Sequence, residues 1–460
     1  METPFIDRRT ELGVLEREWA RPGFRLVIVY GRRRVGKTRL ILEWLRRRRG
    51  AYYEAAELGY EQLSKEFSES VGRQLGIYVP GRDVVEALEA VSKLGERLAI
   101  VIDEFQYLVQ ADSSLPSRLM RSIDTVLSRG NLVLVLSGSA VSFFEKELLG
   151  YRAPLHGRRT SQLRLRPLRL LEAWGFWPEM SPVEALRAYS VVGGTPAYLA
   201  RVYGARTISQ VLGSVLEPGS PLLEEAQTLL RQELREPRSY AALLKALAEG
   251  ATRPSEAAQK AGIDPRSIHR YIEVLEELDI VKRVKPLGYK RGQRIRIIDP
   301  YFRFYYGFII RVKSLIELGA LEEVVEEAER VIDSFASLVF EEWVSSHVAE
   351  LHQLGIIPSF PREKGPWWHR GEEIDLVVRN PGDSTTFIEA KWSTIDLGEA
   401  KRILVELERK SAKTGLASPK NYYVVVARSV EGISSAFERL DEARIVADYS
   451  KAMELMRQRA

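Results

Sequence analysis

Short runs of β-branched and aliphatic residues alternate with longer stretches whose apolar positions recur every three or four residues. Through the first 170 positions that alternation predicts strands and helices in turn. Residues 26–29, 51–54, 98–103, 132–136 and 162–165 read as strands, and 39–49 as a helix with Leu40, Ile41, Trp44 and Leu45 inward. That helix ends in four arginines and Gly50, basic residues against the dipole and then a glycine stop, so the tetrad reads as a solvated helix end. From residue 240 the pattern changes to short helices over 241–248, 254–261 and 265–278, then two strands, 280–285 and 294–298, joined by residues 288–293. In the third of these helices Ile268, Tyr271, Ile272, Leu275 and Leu278 face inward and Arg266, His269 and Arg270 outward, with Asp264 as cap and Pro265 in the first turn. Aromatics at 301–306 read as a core seam, and 315–331 as a charged connecting helix. The remainder predicts an amphipathic helix over 337–351, strands over 372–378 and 386–392 around a Pro381-Gly382-Asp383 turn, a helix over 397–410 and a strand over 422–427.

With 460 residues and no repeat, the chain has room for two to four domains, each with its own core. No apolar run approaches 18 residues and the first 25 hold no signal-like block, so a soluble, cytoplasmic protein without membrane partners is expected. The absence of cysteine excludes disulfides, thiol catalysis and Cys-ligated zinc. The net charge of +5 is localised: residues 237–300 hold 13 Lys and Arg against 8 Asp and Glu, an excess equal to that of the whole chain. Lys282, Arg283, Lys285, Lys290, Arg291, Arg294 and Arg296 fall in one stretch with no acidic residue. Three helices followed by a basic hairpin read as a winged helix. The third helix, with Arg266 exposed, could then enter a major groove, His269 and Arg270 forming a phosphate contact or a surface pair, and the hairpin would track phosphates; the alternative is the same fold used only for packing or protein contacts.

The first strand runs into Gly31-Arg32-Arg33-Arg34-Val35-Gly36-Lys37-Thr38-Arg39, a glycine-bounded loop between a strand and a helix. This is the spacing of a P-loop: backbone N–H groups and a helix N-terminus cradle phosphates, Lys37 reaches the β- and γ-phosphates and Thr38 holds Mg²⁺, so ATP and Mg²⁺ are the expected cofactors. Arg32, Arg33 and Arg34 have three open roles: phosphate neutralisation, a neighbouring subunit, or solvent. The strand over 98–103 delivers Asp103 for Mg²⁺ and Glu104 to orient or deprotonate water. The next strand ends in Ser137-Gly138-Ser139, where a hydroxyl can sense the γ-phosphate; Ser139 is preferred, and a helix cap is the alternative for either serine. Arg158 or Arg159 is a candidate arginine finger for a neighbour's nucleotide in a homo-oligomer, or a surface charge. Phe5 to Leu12, ahead of the first strand, resemble the short segment that packs beside the adenine in many P-loop ATPases; Arg8 and Arg9 read equally as solvated helix-start charges, the preferred reading for at least one of them.

FIDRRTEL, YGRRRVGKT, LAIVIDEFQYL, LSGSAVSFFEKELLGYRAPLHGRRT and VVGGTPAYL together resemble the archaeal-type P-loop ATPases of the AAA+ and STAND superfamily. The resemblance covers the first half of the chain. It implies an α/β fold with a parallel five-stranded sheet in the order 5-1-4-3-2, a helical lid, and Pro196 packing near the adenine; on sequence alone Gly193 to Pro196 is a turn before a helix. The last 120 residues resemble the PD-(D/E)XK nucleases, of restriction-endonuclease-like α/β fold, with Ile374 where the family name has proline. Strand periodicity puts Glu389 and Lys391 on one face. With Asp375 from the adjacent strand and Glu341, preferred over Glu342 because it directly follows Phe340, Glu389 forms the expected metal site, Lys391 steadying the attacking water or the developing charge; the alternative is that Asp375, Glu389 and Lys391 are surface charges on exposed strand positions. The expected domains are therefore 1–170 ATPase core, 171–236 lid, 237–300 winged helix, 301–336 connector and 337–460 nuclease-like. The expected function is a DNA-associated ATPase coupled to Mg²⁺-dependent DNA processing, its rival a nucleotide-dependent switch with an inert nuclease fold.

Overall fold

Five strands, the central three of them runs of Val, Ile and Leu too apolar to face water, form a fully parallel sheet. The strands are β1 (Arg25–Tyr30), β2 (Gly50–Glu54), β3 (Leu98–Asp103), β4 (Leu132–Gly138) and β5 (Ser161–Arg164), in the spatial order β2-β3-β4-β1-β5. The order 5-1-4-3-2 implied by the resemblance is thus present. Parallel strands need crossovers, and the crossover helices cover both faces. Leu26, Ile28, Ile100, Ile102 and Leu134 pack into one core, and Val27, Val29, Leu40, Ile41, Trp44, Val101 and Val135 into the other. The edge strand β5 is only half-buried. In the computed structural model, which describes residues 5–289 and 291–459, this sheet belongs to a unit that closes at Pro167 and adds Thr195–Ala197.

The second unit holds Leu168–Gly194 and the chain from Tyr198 onward. Its helices include Pro182–Val192, Ile208–Leu216 and Glu225–Glu233, then Pro237–Ala248, Pro254–Ala261 and Ile268–Glu277, followed by an antiparallel hairpin of β6 (Val281–Val284) and β7 (Arg294–Ile297). The third helix of the group begins later than its pattern predicts. The Asp264 carboxylate accepts the Arg266 N–H at 2.8 Å, and the Ser267 hydroxyl donates to the Asp264 carbonyl at 3.0 Å, making residues 265–267 a turn. The aromatic seam is buried, with Tyr301, Phe302, Phe304, Tyr305 and Tyr306 all inside.

One helix, Leu321–Ser346, replaces the separate connector and amphipathic helices expected over 315–331 and 337–351. Gly319 at φ 89 breaks the chain before it, and nothing breaks it at 332–336. Its buried stripe, Val324, Ala328, Ile332, Ala336, Val339, Phe340 and Trp343, continues across that interval at three- and four-residue spacing. It therefore runs through the expected domain boundary at 336. Beyond it lies a mixed sheet of β8 (Glu363–His369), β9 (Glu372–Asn380), β10 (Ser384–Ile395), β11 (Lys420–Val430), β12 (Phe437–Arg439) and β13 (Arg444–Asp448), ordered β12-β13-β11-β10-β9-β8. β8, β9 and β10 are antiparallel neighbours, whereas β10, β11 and β13 run parallel, with helix Leu397–Ser411 crossing from β10 to β11. Pro366 lies in β8, the edge strand, where a missing N–H is tolerated. No helix among the described residues is long and apolar enough to cross a membrane.

Candidate functional site

At the C-terminal ends of β1 and β3, where ligands bind in open α/β sheets, the loop after Tyr30 curls into helix Lys37–Leu45. A Cβ at Gly31 would lie 2.3 Å from the Leu165 carbonyl oxygen, and Gly36 holds φ 91 as the helix N-cap, so the two glycines are sterically required. Lys37 donates to the Gly31 and Arg32 carbonyls at 2.9 and 3.2 Å, its ammonium held inside the loop. Thr38 Oγ1 donates to Asp103 Oδ2 at 2.6 Å, and the Tyr52 hydroxyl reaches the same oxygen at 2.9 Å. Burial, and then the Asp103 charge, push the Tyr52 phenol far up, so it stays a donor. A hydroxyl and a carboxylate side by side are the hard oxygen donors that Mg²⁺ takes, and the pair fits the ion.

Glu104 adopts φ 51, a left-handed conformation costing roughly 1–3 kcal/mol in a non-glycine residue. Its Oε2 accepts from the Ser139 hydroxyl at 2.8 Å, from the Ser139 N–H at 3.2 Å and from Gln106 Nε2. Of the two serines weighed from sequence, Ser139 therefore faces the acid. Ser137 turns away: its carbonyl accepts the Phe105 N–H at 2.9 Å, and its buried hydroxyl has no hydrogen-bond partner among the described residues.

The loop arginines divide. Arg32 is buried and donates to Thr195 Oγ1 at 2.6 Å, while Arg33 reaches the Tyr107 hydroxyl at 3.3 Å. Arg34 and Arg39 are exposed, and Val35 is fully buried. Pro196 lies against the loop, its Cγ 3.7 Å from where a Cβ on Gly36 would sit. Arg8 is no solvated charge. It is buried and donates to the Val35 carbonyl at 3.0 Å, to the Arg166 carbonyl at 2.7 Å and to Glu11 at 2.8 Å, fastening the P-loop to the chain after β5. Arg9 is exposed. Arg158 forms a bidentate pair with Asp124, at 2.8 and 2.7 Å, which holds that carboxyl below its usual range. Arg159, by contrast, has a buried Nη1 without a hydrogen-bond partner among the described residues.

In the second unit the β9–β10 ladder ends at Ile388 opposite Leu376. One residue on, Asp375 Oδ2 accepts the Ala390 N–H at 2.8 Å in place of a ladder carbonyl, which brings its carboxyl beside Glu389. Lys391 Nζ donates to Glu389 Oε1 at 2.8 Å. Burial first, and then the charges of Glu389 and Glu341, push Asp375 up to about 7. Burial opposes the Lys391 charge, but the Glu389 hydrogen bond and the surrounding carboxylates outweigh it and hold that ammonium above its usual value. Glu341 acts electrostatically on Asp375, whereas Glu342 turns to Arg303 at 2.5 Å.

The three expected metal ligands do not converge as a set. Glu341 pairs with Arg296 at 3.3 Å, Asp375 takes the Ala390 N–H and Glu389 takes Lys391. Among the described residues no three His, Asp or Glu side chains gather closely enough to hold an ion.

The basic hairpin is not free to follow a nucleic-acid backbone along its length. The Leu287 N–H donates to the Pro366 carbonyl at 2.8 Å, Trp368 Nε1 donates to the Gly292 carbonyl at 3.1 Å, and Tyr289 stacks on His369, so its tip is docked on β8. Arg283 is neutralised by Glu276 at 2.7 Å, and Arg294 by Glu373 at 2.9 Å while lying over the Trp368 ring. Lys282, Lys285 and Arg291 remain exposed, as do Arg266, His269 and Arg270 on the preceding turn and helix; Lys290 lies outside the described residues. Gln106, Thr195 and Tyr52 were not singled out from sequence. Gln106 stands two residues beyond the Asp103-Glu104 pair, the one signal that could have marked it.

Residues 5–202 match the family described as an ATPase domain predominantly from Archaea, and residues 305–403 a family of archaeal and bacterial proteins of unknown function. An uncharacterized protein of Methanocaldococcus jannaschii is 30% identical over 438 residues, covering 93% of this chain and 96% of its own. An uncharacterized ATP-binding protein of the same organism is 54% identical over 41 residues, 9% of this chain and 70% of its own. Among solved structures, the Walker-type ATPase of Pyrococcus abyssi is 20% identical, covering 66% of this chain and 96% of its own with a TM-score of 0.47. The ORC2 protein of Aeropyrum pernix is 16% identical, covering 72% and 98% with a TM-score of 0.45. The chain belongs to the family of the Methanocaldococcus jannaschii relative, with an archaeal-type ATPase domain over residues 5–202.

Proposed function

We propose that this ATPase works on DNA and that its C-terminal domain is a PD-(D/E)XK-type site for Mg²⁺-dependent strand cleavage. In the ATPase half, residues 31–39 and Pro196 would hold the nucleotide, with Thr38 and Asp103 as the Mg²⁺ ligands. Mg²⁺ there would neutralise charge on the β- and γ-phosphates. Glu104 is the candidate base. Its carboxylate is now held by three donors, so it acts once Ser139 and Gln106 release it towards water. Arg159 is the better candidate for a finger working between subunits, because Arg158 is occupied by Asp124.

The observation that carries the C-terminal reading is the meeting of Asp375, Glu389 and Lys391 at the end of the β9–β10 ladder, with Asp375 pushed to about 7. A strongly perturbed carboxyl with a second carboxylate and an ammonium beside it is what phosphodiester hydrolysis uses. Plasmid nicking with Mg²⁺ and ATP tests it: Lys391→Ala should abolish nicking, and equal cleavage by both proteins would remove the assigned site. The proposed limits are 1–170 for the ATPase core, 171–236 for the lid, 237–300 for a winged helix, 301–336 for the connector and 337–460 for the nuclease-like domain.

A second reading is a nucleotide-dependent switch whose nuclease fold is inert. The hairpin favours it, since Arg296 on Glu341 and Arg294 on Glu373 neutralise carboxylates at or beside the candidate site. Nucleotide-dependent, salt-sensitive duplex binding without any cleavage is the outcome it predicts.

A further inference from the structure

Helices Glu225–Glu233 and Pro237–Ala248 wall a cleft of about 570 Å³. Gln227, Leu230 and Arg231 line it from the first helix and Pro237, Arg238 and Ala241 from the second, so each wall carries one arginine beside apolar carbon. Both arginines are exposed, and no acidic side chain lines the cleft among the described residues. Arg238 has no hydrogen bond or ion pair among those residues. The acids that precede the two walls are turned away, Glu224 to Lys313 and Glu236 to the Tyr271 hydroxyl. With Glu236 so held, the second helix begins without a side-chain cap, and its first N–H groups add to the positive edge.

A buried donor stands beside this edge. The turn Tyr305–Ile309 packs against helix Pro237–Ala248, and the Tyr305 hydroxyl has no hydrogen-bond partner among the described residues. Burial, and then the Glu224 charge, push its phenol up to about 12 against the opposing pull of Gln227 and Arg231, so it keeps its proton. The Gln227 amide oxygen that could accept that proton is taken by Arg231 Nη2 at 3.2 Å, the long end of the hydrogen-bond range. The free chain thus leaves a buried donor unpaired while an arginine is held by a weak bond to a neutral amide.

We propose that this cleft binds a phosphate of the DNA backbone, Arg231 and Arg238 closing on its non-bridging oxygens from the two walls. This rests on the reading of the ATPase as one that works on DNA. A guanidinium pairs more strongly with a phosphate than with an amide, so the anion draws Arg231 off Gln227. Gln227 Oε1 then accepts from the Tyr305 hydroxyl, and the buried donor is satisfied only in the bound state.

The test is binding of the full chain to a short duplex with ATP, Ca²⁺ replacing Mg²⁺, followed by fluorescence anisotropy across a salt series. Replacing both arginines, Arg231→Ala with Arg238→Ala, should weaken binding about 10-fold at low salt and flatten the log–log salt slope by about 0.9, the loss of one phosphate contact. Arg231→Gln with Arg238→Gln gives the same reading if the alanine pair does not fold. Lys245→Ala with Arg330→Ala removes equal charge outside the cleft, from surface pairs with Glu249 and Glu326, and should change the slope by less than half as much. Tyr305→Phe should weaken binding about 3-fold and leave the slope as it is, since it removes a hydrogen bond and no charge; an unchanged affinity overturns the exchange at Gln227. An unchanged slope in the arginine pair, or an equal change in the control pair, overturns the site while the unsubstituted chain's duplex binding upholds work on DNA. A full chain that binds no duplex rejects both. Inorganic phosphate at matched ionic strength should not displace the duplex; displacement that the arginine pair abolishes would assign the cleft to free phosphate and overturn the DNA source.

Discussion

Replacing Arg8 by alanine removes the guanidinium that joins the P-loop to the chain after β5. Two of its hydrogen bonds go to main-chain carbonyls, Val35 at 3.0 Å and Arg166 at 2.7 Å, and one to Glu11 at 2.8 Å. Hydrogen bonds from a charged donor contribute about 1.5–3 kcal/mol each, and the Glu11 pair, with side chains 9% and 21% exposed, adds less than about 1 kcal/mol. Water can enter the space left behind and satisfy part of the freed carbonyl capacity. The expected net loss is therefore about 2–4 kcal/mol, or roughly 6–12 °C in the melting temperature of a unit this size. Scanning calorimetry should read it on the transition that added ATP raises, which identifies the nucleotide-binding unit. Arg8→Lys should recover less than half, because an ammonium lacks the planar fork whose Nη2 meets both carbonyls while Nη1 meets Glu11. Arg9→Ala, on the exposed neighbour, should stay within about 0.5 kcal/mol. Nucleotide affinity should fall with stability, since Val35 belongs to the phosphate loop. A loss below about 0.5 kcal/mol for Arg8→Ala, or equal losses for Arg8 and Arg9, would refute the reasoning.

Ser139→Ala should lower ATP turnover at least about tenfold while Ser137→Ala leaves it within about threefold, measured as steady-state phosphate release, because only Ser139 touches Glu104. Arg159→Ala should cut kcat by about 10³-fold if the finger works in trans, with Arg158→Ala costing mainly stability; turnover per subunit should then also fall on dilution. Asp375 gives a pH signature of known sign. Its folded value lies above the unfolded one, so its contribution is fully present below about pH 4 and is lost as pH rises through about 7. The shift caps the effect at about 4 kcal/mol, and solvent relaxation should leave about 2 kcal/mol. Asp375→Asn should thus gain stability on the unsubstituted chain between pH 5 and 8 in paired thermal melts.

The local parts of the site were legible in the sequence. Gly31 to Thr38 and the strand ending in Asp103-Glu104 need only consecutive residues: apolar strand, glycines, then the polar group delivered at the strand end. Arg8 was not legible as a bolt, because a charge at a helix start looks the same whether it meets water or two carbonyls 27 and 158 residues away. Nor was the fate of the basic hairpin. Composition counts Arg283, Arg294 and Arg296 as free positive charge, whereas the fold sets Glu276, Glu373 and Glu341 against them. The helix Leu321–Ser346 was divided in two because its charged first half and apolar second half look unlike, although one buried stripe runs through both. Edge strand β8 carries Gly365-Pro366 before two tryptophans, weak strand residues that its place at the sheet edge tolerates.

Anomalous diffraction from crystals grown with a non-hydrolysable ATP analogue and Mn²⁺ tests the central claim most directly. The account predicts two manganese peaks: one against Thr38 and Asp103, and one bound by Asp375 and Glu389, with Arg296 withdrawn from Glu341. A peak at Thr38 and Asp103 alone, with Arg296 still on Glu341 and Lys391 still on Glu389, would contradict the cleavage reading and leave an ATPase whose C-terminal sheet is a docking module.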